Sequence, residues 1–210
     1  MKRKLLAVVA ADMAGFSRLI ENDEITILSR QKSHFNEVIK PAIKNFNGEI
    51  IKTTGDGFLA TFESALDAVE SSIEIQTKIN ELEKPFTSEK RIWYRVGINI
   101  GDVVLDEGDI FGNCVNIASR LESIADSGGI CITSDIFQNI KNLKPYNFKN
   151  LGEQHLKNIT QQINVYKIIV GEEDFNLDNS IPKILTEVDQ EIRYCSSIDG
   201  TTIAYAKVGD

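Results

Sequence analysis

Near the start of the chain, an unbroken apolar run extends from Leu5 to Ala11 and ends at Asp12. A continuous run of this kind is typical of a β-strand that is covered on both faces, because a strand with one solvated face alternates apolar and polar residues. A signal peptide is the alternative, since residues 2–4 are basic, but the run is at the lower length limit for one and meets an aspartate at once. We therefore predict a central strand with packing elements on both sides of its sheet.

Composition narrows the class of protein. Lysine and arginine number 23 against 31 aspartate and glutamate residues, a net charge of −8, and so acidic a chain does not suit non-specific binding of nucleic acid. Three cysteines and two histidines are too few and too scattered for a disulfide framework or a zinc site, which favours a reducing, cytoplasmic location. No segment approaches the ~20 apolar residues of a membrane span, so we predict a soluble chain.

Apolar periodicity predicts the order of the elements. A helix opens near Asn22, Pro41 kinks or divides it, and Gly48 ends it. Ser64 and Asp67 form a capping box at the start of a second helix. The remaining predicted elements are a hairpin over 49–62, a strand over 92–100 with 102–105 as its partner, a helix over 112–125, a strand over 130–132, a helix over 134–141, and strands near 145–149 and 163–170. This order, β-α-β-β-α-β followed by further helices and strands, predicts an α+β sandwich on a mostly antiparallel sheet.

Two carboxylates occupy unusual places in this pattern. Asp12 ends the buried strand, and Asp56 lies at the tip of the hairpin in Gly55-Asp56-Gly57. If the two strands are neighbours, both carboxylates project from one edge of the sheet, where they could hold magnesium ions on a triphosphate. Taken singly, each residue is as well explained as a strand-end cap or a turn aspartate.

Other polar residues are ambiguous by themselves. Asn116 and Arg120 lie four residues apart on a predicted helix, so they share one face and could stabilise charge on a transferring phosphoryl group. A solvated helix face explains the same spacing. Lys52, in the hairpin, and Asp109, before the helix, are individually typical surface charges.

Four stretches of the chain occur in an order and spacing that are highly specific together. They are Ala11-Asp12-Met13-Ala14-Gly15-Phe16-Ser17, Lys52-Thr53-Thr54-Gly55-Asp56-Gly57, Gly97-Ile98-Asn99-Ile100-Gly101, and Asp109-Ile110-Phe111-Gly112-Asn113-Cys114-Val115-Asn116-Ile117-Ala118-Ser119-Arg120. Over roughly residues 5–170 the chain resembles the class III nucleotidyl cyclase catalytic domain. The resemblance implies a ferredoxin-like βαββαβ core with additions, in agreement with the order of elements.

The resemblance also implies roles for the residues that match the family's motifs. Asp12 and Asp56 would bind two Mg²⁺ (or Mn²⁺) ions per active site, with the backbone carbonyl of Met13 as a further ligand. Asn116 and Arg120 would orient the ribose and stabilise the transition state. These four side chains and one carbonyl make up the implied catalytic and metal-binding set.

Further residues are implied to bind the substrate. The backbone amides of Ala14, Gly15 and Phe16 would hold phosphate oxygens at a helix start, where the helix dipole favours an anion. Lys157 matches a lysine that contacts the triphosphate, within a closing segment that is less distinctive than the other motifs. Together they predict that the triphosphate lies near the end of the first strand.

Lys52 and Asp109 match the two positions that select the base. Adenine-specific members of the family carry a lysine and an aspartate (or threonine) there, and guanylyl cyclases carry a glutamate and a cysteine. Lys52 can donate to adenine N1 and Asp109 can accept from the exocyclic amine, whereas guanine presents the reverse pattern. The expected function is therefore an adenylyl cyclase that makes cyclic AMP for signal transduction by attack of the ribose 3′-oxygen on the α-phosphorus of ATP.

Two alternatives remain open from the sequence. One is a cyclase for another nucleotide, either GTP or a pyrimidine nucleotide, and the other is a catalytically silent nucleotide-binding regulatory module. In the family, the metal-binding aspartates come from one protomer and the remaining catalytic residues from the other. Because this chain carries both sets, we predict a head-to-tail homodimer with two composite sites.

The composition changes after residue 170. Residues 171–191 are acidic and contain Pro182, so we predict a linker, and residues 192–210 show a hairpin-like pattern around Asp199-Gly200. This C-terminal stub resembles the opening of an α/β-hydrolase, and the chain ends before any nucleophile motif. We therefore expect residues 1–170 to form the cyclase domain of a longer protein, with a simple C-terminal extension as the alternative.

Overall fold

The computed structural model describes residues 2–170, 191–196 and 202–207. The strands are β1 (Lys2–Met13), β2 (Glu49–Thr53), β3 (Gly57–Phe62), β4 (Tyr94–Asp106), β5 (Asp109–Phe111), β6 (Ile130–Thr133), β7 (Asn147–Gln154), β8 (Ile163–Ile169), β9 (Glu191–Ser196) and β10 (Thr202–Lys207). The helices are α1 (Phe16–Ser33), a π-helical segment (His34–Ile39), α2 (Lys40–Asn45), α3 (Ala65–Glu83), a 3-10 turn (Ser88–Lys90), α4 (Asn113–Ile124) and α5 (Ser134–Ile140).

Strand β1 lies inside a sheet of order β2-β3-β1-β4-β6-β8-β7, and β5 pairs with β4. Every strand pair in this sheet is antiparallel except β4 with β6. The α+β fold on a mostly antiparallel sheet is therefore confirmed. Alternate side chains of β1 enter two different buried clusters, with Val9 and Ala11 on one face and Val8 and Ala10 on the other. The strand is covered on both faces, as its apolar run predicts.

The first helix begins earlier than predicted, at Phe16 rather than near Asn22. Asp23 has non-helical backbone angles and interrupts the helix, and its Oδ1 accepts a hydrogen bond of 3.2 Å from the Thr26 N–H. The predicted start thus corresponds to a kink, where an aspartate side chain restarts the helix. Pro41 lies in the first turn of α2, directly after the π-helical segment, so the hydrogen-bonding pattern changes at the proline while the backbone stays helical.

The residue that ends this helical region is Asn47, with φ of 56°, and the prediction of Gly48 was wrong by one position. The Gly48 N–H donates to the Ile43 carbonyl at 2.8 Å, which closes the helix end. Gly48 is required for another reason. A Cβ there would lie 2.3 Å from the Phe62 ring.

The predicted partner strand at 102–105 was also wrong. Strand β4 continues through Gly101 to Asp106, and its hairpin partner is β5. Glu107 and Gly108 both have positive φ, 47° and 83°, as a two-residue hairpin turn requires. The chain therefore reverses at Glu107-Gly108.

The other predicted helices and strands between residues 49 and 170 are confirmed, with bounds that differ by a few residues. The hairpin over 49–62 corresponds to β2 and β3, and the Ser64 Oγ accepts a hydrogen bond of 3.2 Å from the Asp67 N–H at the start of α3. Among the helices of the described ranges, none combines the length and apolar composition that crossing a bilayer requires.

Helix α4 packs directly on β4 and β1. The contact is close at Gly97 of β4, where a Cβ would lie 2.1 Å from the Ala118 carbonyl oxygen. Cys114 and Ala118 face the cluster beneath β1, and Leu121 joins a cluster with Val165 of β8. These contacts fix which side of α4 is turned away from the sheet.

Residue contacts divide the chain into two units, 1–175 and 176–210. In the second unit, β9 and β10 pair antiparallel, from Glu191 with Lys207 to Ser196 with Thr202. The predicted linker over 171–191 lies outside the described residues except for its last residue. The assignment of 192–210 to the start of an α/β-hydrolase stays a prediction.

We expect Gly97→Ala to destabilise the protein by about 2–4 kcal/mol, because the new methyl group forces α4 away from β4. Urea unfolding followed by circular dichroism measures this change. Gly101→Ala is the matched control on the same strand, since a Cβ there meets only the Cys114 side chain at 3.3 Å. Equal stability of the two variants would show that close packing at Gly97 is not what fixes α4.

Candidate active site

Backbone hydrogen bonds bring Asp12 and Asp56 together. Asp12 pairs with Gly57 in the register of β1 with β3, and the Met13 N–H donates to the Asp56 carbonyl at 3.1 Å. The loop that carries Asp56 is thereby fastened to the end of the strand that carries Asp12. Both carboxylates lie at one edge of the sheet, as the sequence predicts.

The turn itself depends on its two glycines. Gly55 has φ of 82°, and a Cβ on Gly57 would lie 2.2 Å from the Ala11 carbonyl oxygen. Helix α1 also contacts this turn, because the Gln31 Nε2 donates a hydrogen bond of 2.6 Å to the Gly55 carbonyl. The Gly-Asp-Gly motif therefore allows the close approach of two strands beside a carboxylate.

The site carries an excess of negative charge. Burial raises the pKa of Asp56, and the neighbouring Asp12 charge raises it further. Burial likewise raises the pKa of Glu122 on α4, although the Arg95 guanidinium opposes that shift. The Arg95 Nη2 lies 3.1 Å from the Asp12 Oδ2 and 3.1 Å from the Glu122 Oε1. One arginine thus offsets part of the charge of three carboxylates.

These carboxylates fit a divalent cation that is shared with a substrate. In the described part of the chain, no three histidine, cysteine or acidic side chains converge to enclose a metal ion. Two carboxylates at one edge agree with Mg²⁺, which commonly takes one or two protein carboxylates and completes its shell with substrate phosphates and water. Besides burial, the Asp12 charge raises the pKa of Asp56, and such an ion would offset this charge.

Arg95 is a site residue that the sequence analysis missed. It lies on β4 directly opposite Asp12 in the antiparallel register. Alternation of apolar and polar residues along β4 predicts that Arg95 faces away from the apolar cluster that its neighbours enter. Only the register of β1 with β4 shows that Arg95 lies opposite Asp12. The ion pair with Asp12 therefore depends on strand pairing.

The start of α1 follows Asp12 directly. Its first helical hydrogen bond runs from the Leu19 N–H to the Gly15 carbonyl, 3.1 Å, so the N–H groups of Phe16 to Arg18 precede the helical ladder and suit an anion. The Ala14 N–H already donates to the Trp93 carbonyl at 2.8 Å. Of the three predicted phosphate-binding amides, Ala14 is thus committed to the protein backbone in this structure.

Lys52 and Asp109 form an ion pair. The Lys52 Nζ lies 2.8 Å from the Oδ1 and 2.6 Å from the Oδ2 of Asp109. The hydrogen bond from Lys52 holds the pKa of Asp109 below its ordinary value, helped by the Ile110 N–H. The pair connects β2 with β5, so the structure brings together two residues that are 57 positions apart.

The other predicted residues are accessible. Asn116 is exposed and Arg120 half-buried on α4, whose core face is formed by Cys114, Ile117 and Ala118. Within the described ranges, neither side chain forms a hydrogen bond or ion pair with the rest of the chain. Lys157 is exposed in the segment between β7 and β8.

The predicted residues therefore form separate groups in one chain. Asp12, Asp56 and Arg95 form one group at the end of β1, which we call the Asp12–Asp56 corner. Lys52 and Asp109 form a second group between β2 and β5. As far as the described residues go, no ion pair or hydrogen bond connects these two groups.

The chain is similar to several known proteins. Residues 2–170 match the family model "Adenylate and Guanylate cyclase catalytic domain". The chain is 34% identical over 166 residues to the "Putative adenylate cyclase 3" of Rhizobium meliloti, covering 79% of this chain and 28% of that protein. It is 33% identical to the adenylate cyclase of Streptomyces coelicolor, covering 63% of this chain and 33% of that protein. The chain thus spans a third or less of these curated relatives.

Solved structures have the same fold. An "Adenylate/Guanylate Cyclase/Hydrolase" from Silicibacter pomeroyi is 47% identical, with a TM-score of 0.76, covering 80% of this chain and 97% of the other. The adenylyl cyclase CyaB from P. aeruginosa is 26% identical, with a TM-score of 0.72, covering 82% and 97% respectively.

We expect Asp56→Asn to separate charge repulsion from metal binding. Because the raised pKa means that ionised Asp56 is disfavoured in the folded state, neutralising it should leave the metal-free melting temperature at pH 7 equal or higher. The increase in melting temperature that Mn²⁺ causes in the unsubstituted protein should disappear. Differential scanning calorimetry with and without Mn²⁺ measures both quantities.

The control is Glu63→Gln, which neutralises an exposed carboxylate outside the site. It should preserve the increase with Mn²⁺. A full Mn²⁺ response in Asp56→Asn would contradict the metal site.

Proposed function

The chain belongs to the family of adenylate and guanylate cyclase catalytic domains, and we propose that it converts ATP to 3′,5′-cyclic AMP and pyrophosphate. The observation that carries this proposal is the ion pair between Lys52 and Asp109, because a lysine donor beside a carboxylate acceptor complements the edge of adenine. The adenylate cyclase names of the curated relatives support the same activity.

Base recognition follows from the hydrogen-bonding groups of this pair. Lys52 would donate to adenine N1, and Asp109 would accept from the exocyclic amine. Guanine carries a donor at N1 and an acceptor at O6, so it would place like groups together and leave polar groups unpaired. Both side chains are partly exposed, and an incoming base can therefore replace their mutual contact.

The proposed reaction is in-line attack of the ribose 3′-oxygen on the α-phosphorus, with pyrophosphate as leaving group. Asp12, Asp56 and the Met13 carbonyl would hold two Mg²⁺ or Mn²⁺ ions. When bound, these ions would supply a lowered pKa for the 3′-hydroxyl and positive charge beside the triphosphate. Arg95 would keep Asp12 oriented, since the two side chains already form an ion pair.

The remaining residues would bind and orient the substrate. The N–H groups at the start of α1 would donate hydrogen bonds to phosphate oxygens, and Lys157 would contact the triphosphate. Asn116 would orient the ribose, and Arg120 would stabilise the charge that develops on the transferring phosphoryl group. Arg120 is available for this role because it has no ion-pair partner among the described residues.

We propose further that the active unit is a homodimer with two composite sites. Asp12 with Asp56 and Lys52 with Asp109 are not connected within the described chain, so each group would complete a site with the complementary group of a second copy. A two-fold axis produces two equivalent sites from one such pairing.

We also propose that residues 192–210 begin an α/β-hydrolase-like region. The pairing of β9 with β10 supports a hairpin there. The name of the Silicibacter pomeroyi protein combines cyclase and hydrolase.

A product assay tests the proposed function. Purified protein is incubated with ATP, GTP, CTP or UTP and with Mg²⁺ or Mn²⁺, and cyclic products and pyrophosphate are measured by chromatography. Cyclic AMP should be the main product. Preferential formation of another cyclic nucleotide would overturn the assignment of ATP, and absence of any cyclic product would indicate a silent nucleotide-binding module.

Exchanging the base-reading pair should erode the preference for ATP. Lys52→Glu combined with Asp109→Cys removes both complementary hydrogen bonds, and we expect the ATP/GTP ratio of kcat/KM to fall by about tenfold or more. Initial rates with both nucleotides measure the ratio. Glu74→Cys combined with Lys78→Glu is the matched control, because this exposed pair on α3 has the same 2.6 Å contact. An unchanged ratio in the first variant would place specificity elsewhere.

A mixing experiment tests the shared site. Asp12→Ala and Arg120→Ala homodimers should each be nearly inactive, because both of their sites are damaged. A mixed dimer concentrates both lesions in one site, so mixing should restore up to roughly a quarter of full activity if pairing is random. The activity of the mixture measures this recovery. Pull-down with two affinity tags shows that mixed dimers have formed.

Mixing Asp12→Ala with Asp56→Ala is the control. Both lesions lie in the same half-site, so each site of their mixed dimer stays damaged and no activity should return. Tagged mixed dimers of Asp12→Ala with Arg120→Ala that form and yet stay inactive would contradict the composite site.

A further inference from the structure

A buried charged cluster lies outside the proposed active site. The Glu83 side chain, at the end of α3, is 1% exposed, and the His34 side chain is 4% exposed. The Glu83 Oε1 lies 3.1 Å from the His34 Nε2 and 3.3 Å from the Arg30 Nε, and Arg30 Nη2 contacts the other carboxylate oxygen. That second oxygen also accepts a hydrogen bond of 2.8 Å from the Ile92 N–H.

The cluster keeps Glu83 ionised in the interior. Burial by itself raises the pKa of a carboxyl group, but the hydrogen bonds from His34 and Ile92 and the Arg30 charge bring the pKa of Glu83 below its ordinary value. Apolar residues of similar volume often stabilise a core as well as a buried ion pair does. Stability alone is therefore a weak reason for this arrangement.

The cluster fixes the segment that leads into β4. Arg30 also donates to the Lys90 carbonyl at 3.1 Å and lies 3.7 Å from the centre of the Phe86 ring. Together with the hydrogen bond from the Ile92 N–H to Glu83 of α3, these contacts attach residues 86–92 to α1 and α3. Loops of this kind are otherwise free to open locally.

Backbone contacts lead from Ile92 to the Asp12–Asp56 corner. Ile92 precedes Trp93, whose carbonyl accepts the Ala14 N–H at 2.8 Å, and Ala14 follows the Asp12-Met13 pair. The Ala14 N–H is therefore bonded to the residue before β4 and not to α1. This bond extends the pairing of β1 with β4, in which Met13 lies opposite Tyr94, by one residue into the loop before α1.

We propose that Glu83 is a positioning residue for the cyclase site: with Arg30 and His34 it fixes Ile92 and Trp93, and through them the Ala14 amide and the loop between Asp12 and α1. The inference rests on the proposed function for its consequence in catalysis. Its structural part, the coupling of Glu83 to Ala14, stands independently of any turnover.

Amide hydrogen exchange in the unsubstituted protein tests the coupling first. If one opening exposes both amides, Ile92 and Ala14 should have protection factors that agree within about threefold, as measured by NMR. Independent exchange of the two amides would overturn the proposal.

Two variants then remove the contact. Glu83→Gln keeps the shape of the side chain, and Arg30→Met combined with Glu83→Met replaces the ion pair with apolar side chains of similar volume. We expect Ala14 to exchange about tenfold faster in the double variant and less than that in Glu83→Gln. Thr133→Val is the control, because it removes another buried hydrogen bond, 3.0 Å to the Asn99 Oδ1, away from the loop. It should lower the melting temperature and leave Ala14 exchange unchanged.

Kinetics separate positioning from a general loss of folded protein. We expect the double variant to raise KM for Mn²⁺–ATP and the half-saturating Mn²⁺ concentration about fivefold or more, with kcat reduced less. A loss of folded protein would lower kcat alone. A folded double variant with normal Ala14 exchange and normal KM would overturn the inference. If the unsubstituted protein makes no cyclic nucleotide, the proposed function fails, while the exchange data still decide whether Glu83 positions Ala14.

Discussion

The arrangement of the site depends on one constraint, the short distance at which backbone pairing holds Asp12 and Asp56. Hydrogen bonds between the end of β1 and the turn before β3 fix this distance, and glycines at 55 and 57 permit it. Burial raises the pKa of Asp56, and repulsion from the neighbouring Asp12 carboxylate raises it further. The backbone thus creates a local need for positive charge, which Arg95 meets only in part.

The position of α4 is the second determinant. Its close contact with β4 at Gly97 directs Cys114 and Ala118 inward, and leaves Asn116 and Arg120 without partners among the described residues. Glu122 of the same helix lies 3.1 Å from Arg95, so α4 is connected electrostatically to the group of Asp12, Asp56 and Arg95. The proposed homodimer would bring these two groups of residues together across a two-fold axis.

Much of the fold could be predicted from local patterns. The run over Leu5–Ala11 predicts a strand covered on both faces, and the three- and four-residue spacing in 113–124 predicts α4. One error, the late start predicted for α1, arose at the kink at Asp23, and two others arose at glycines that tertiary packing requires. Gly48 accommodates Phe62 and does not end a helix, and Gly101 faces Cys114 inside a continuous strand. Nothing in a local window distinguishes a glycine that turns the chain from one that accommodates a neighbour.

The site could be predicted in part, and mainly through the resemblance to a family. Motif positions identify Asp12, Asp56, Lys52 and Asp109 as candidates, but not Arg95, whose contact with Asp12 depends on the register of β1 with β4. The Ala14 amide shows the same limit. Its position at a helix start suggests an anion ligand, whereas the fold gives it the Trp93 carbonyl.

Titration of the aspartate carboxyl groups by ¹³C NMR reports directly on the charge coupling between Asp12 and Asp56. Asp56 should titrate above its ordinary value of 3.8, and its pKa should move towards that value in Asp12→Asn. Mg²⁺ should lower it, because a bound cation favours the ionised form. An Asp56 carboxyl that titrates at or below 3.8 and does not respond to Asp12→Asn would contradict the account.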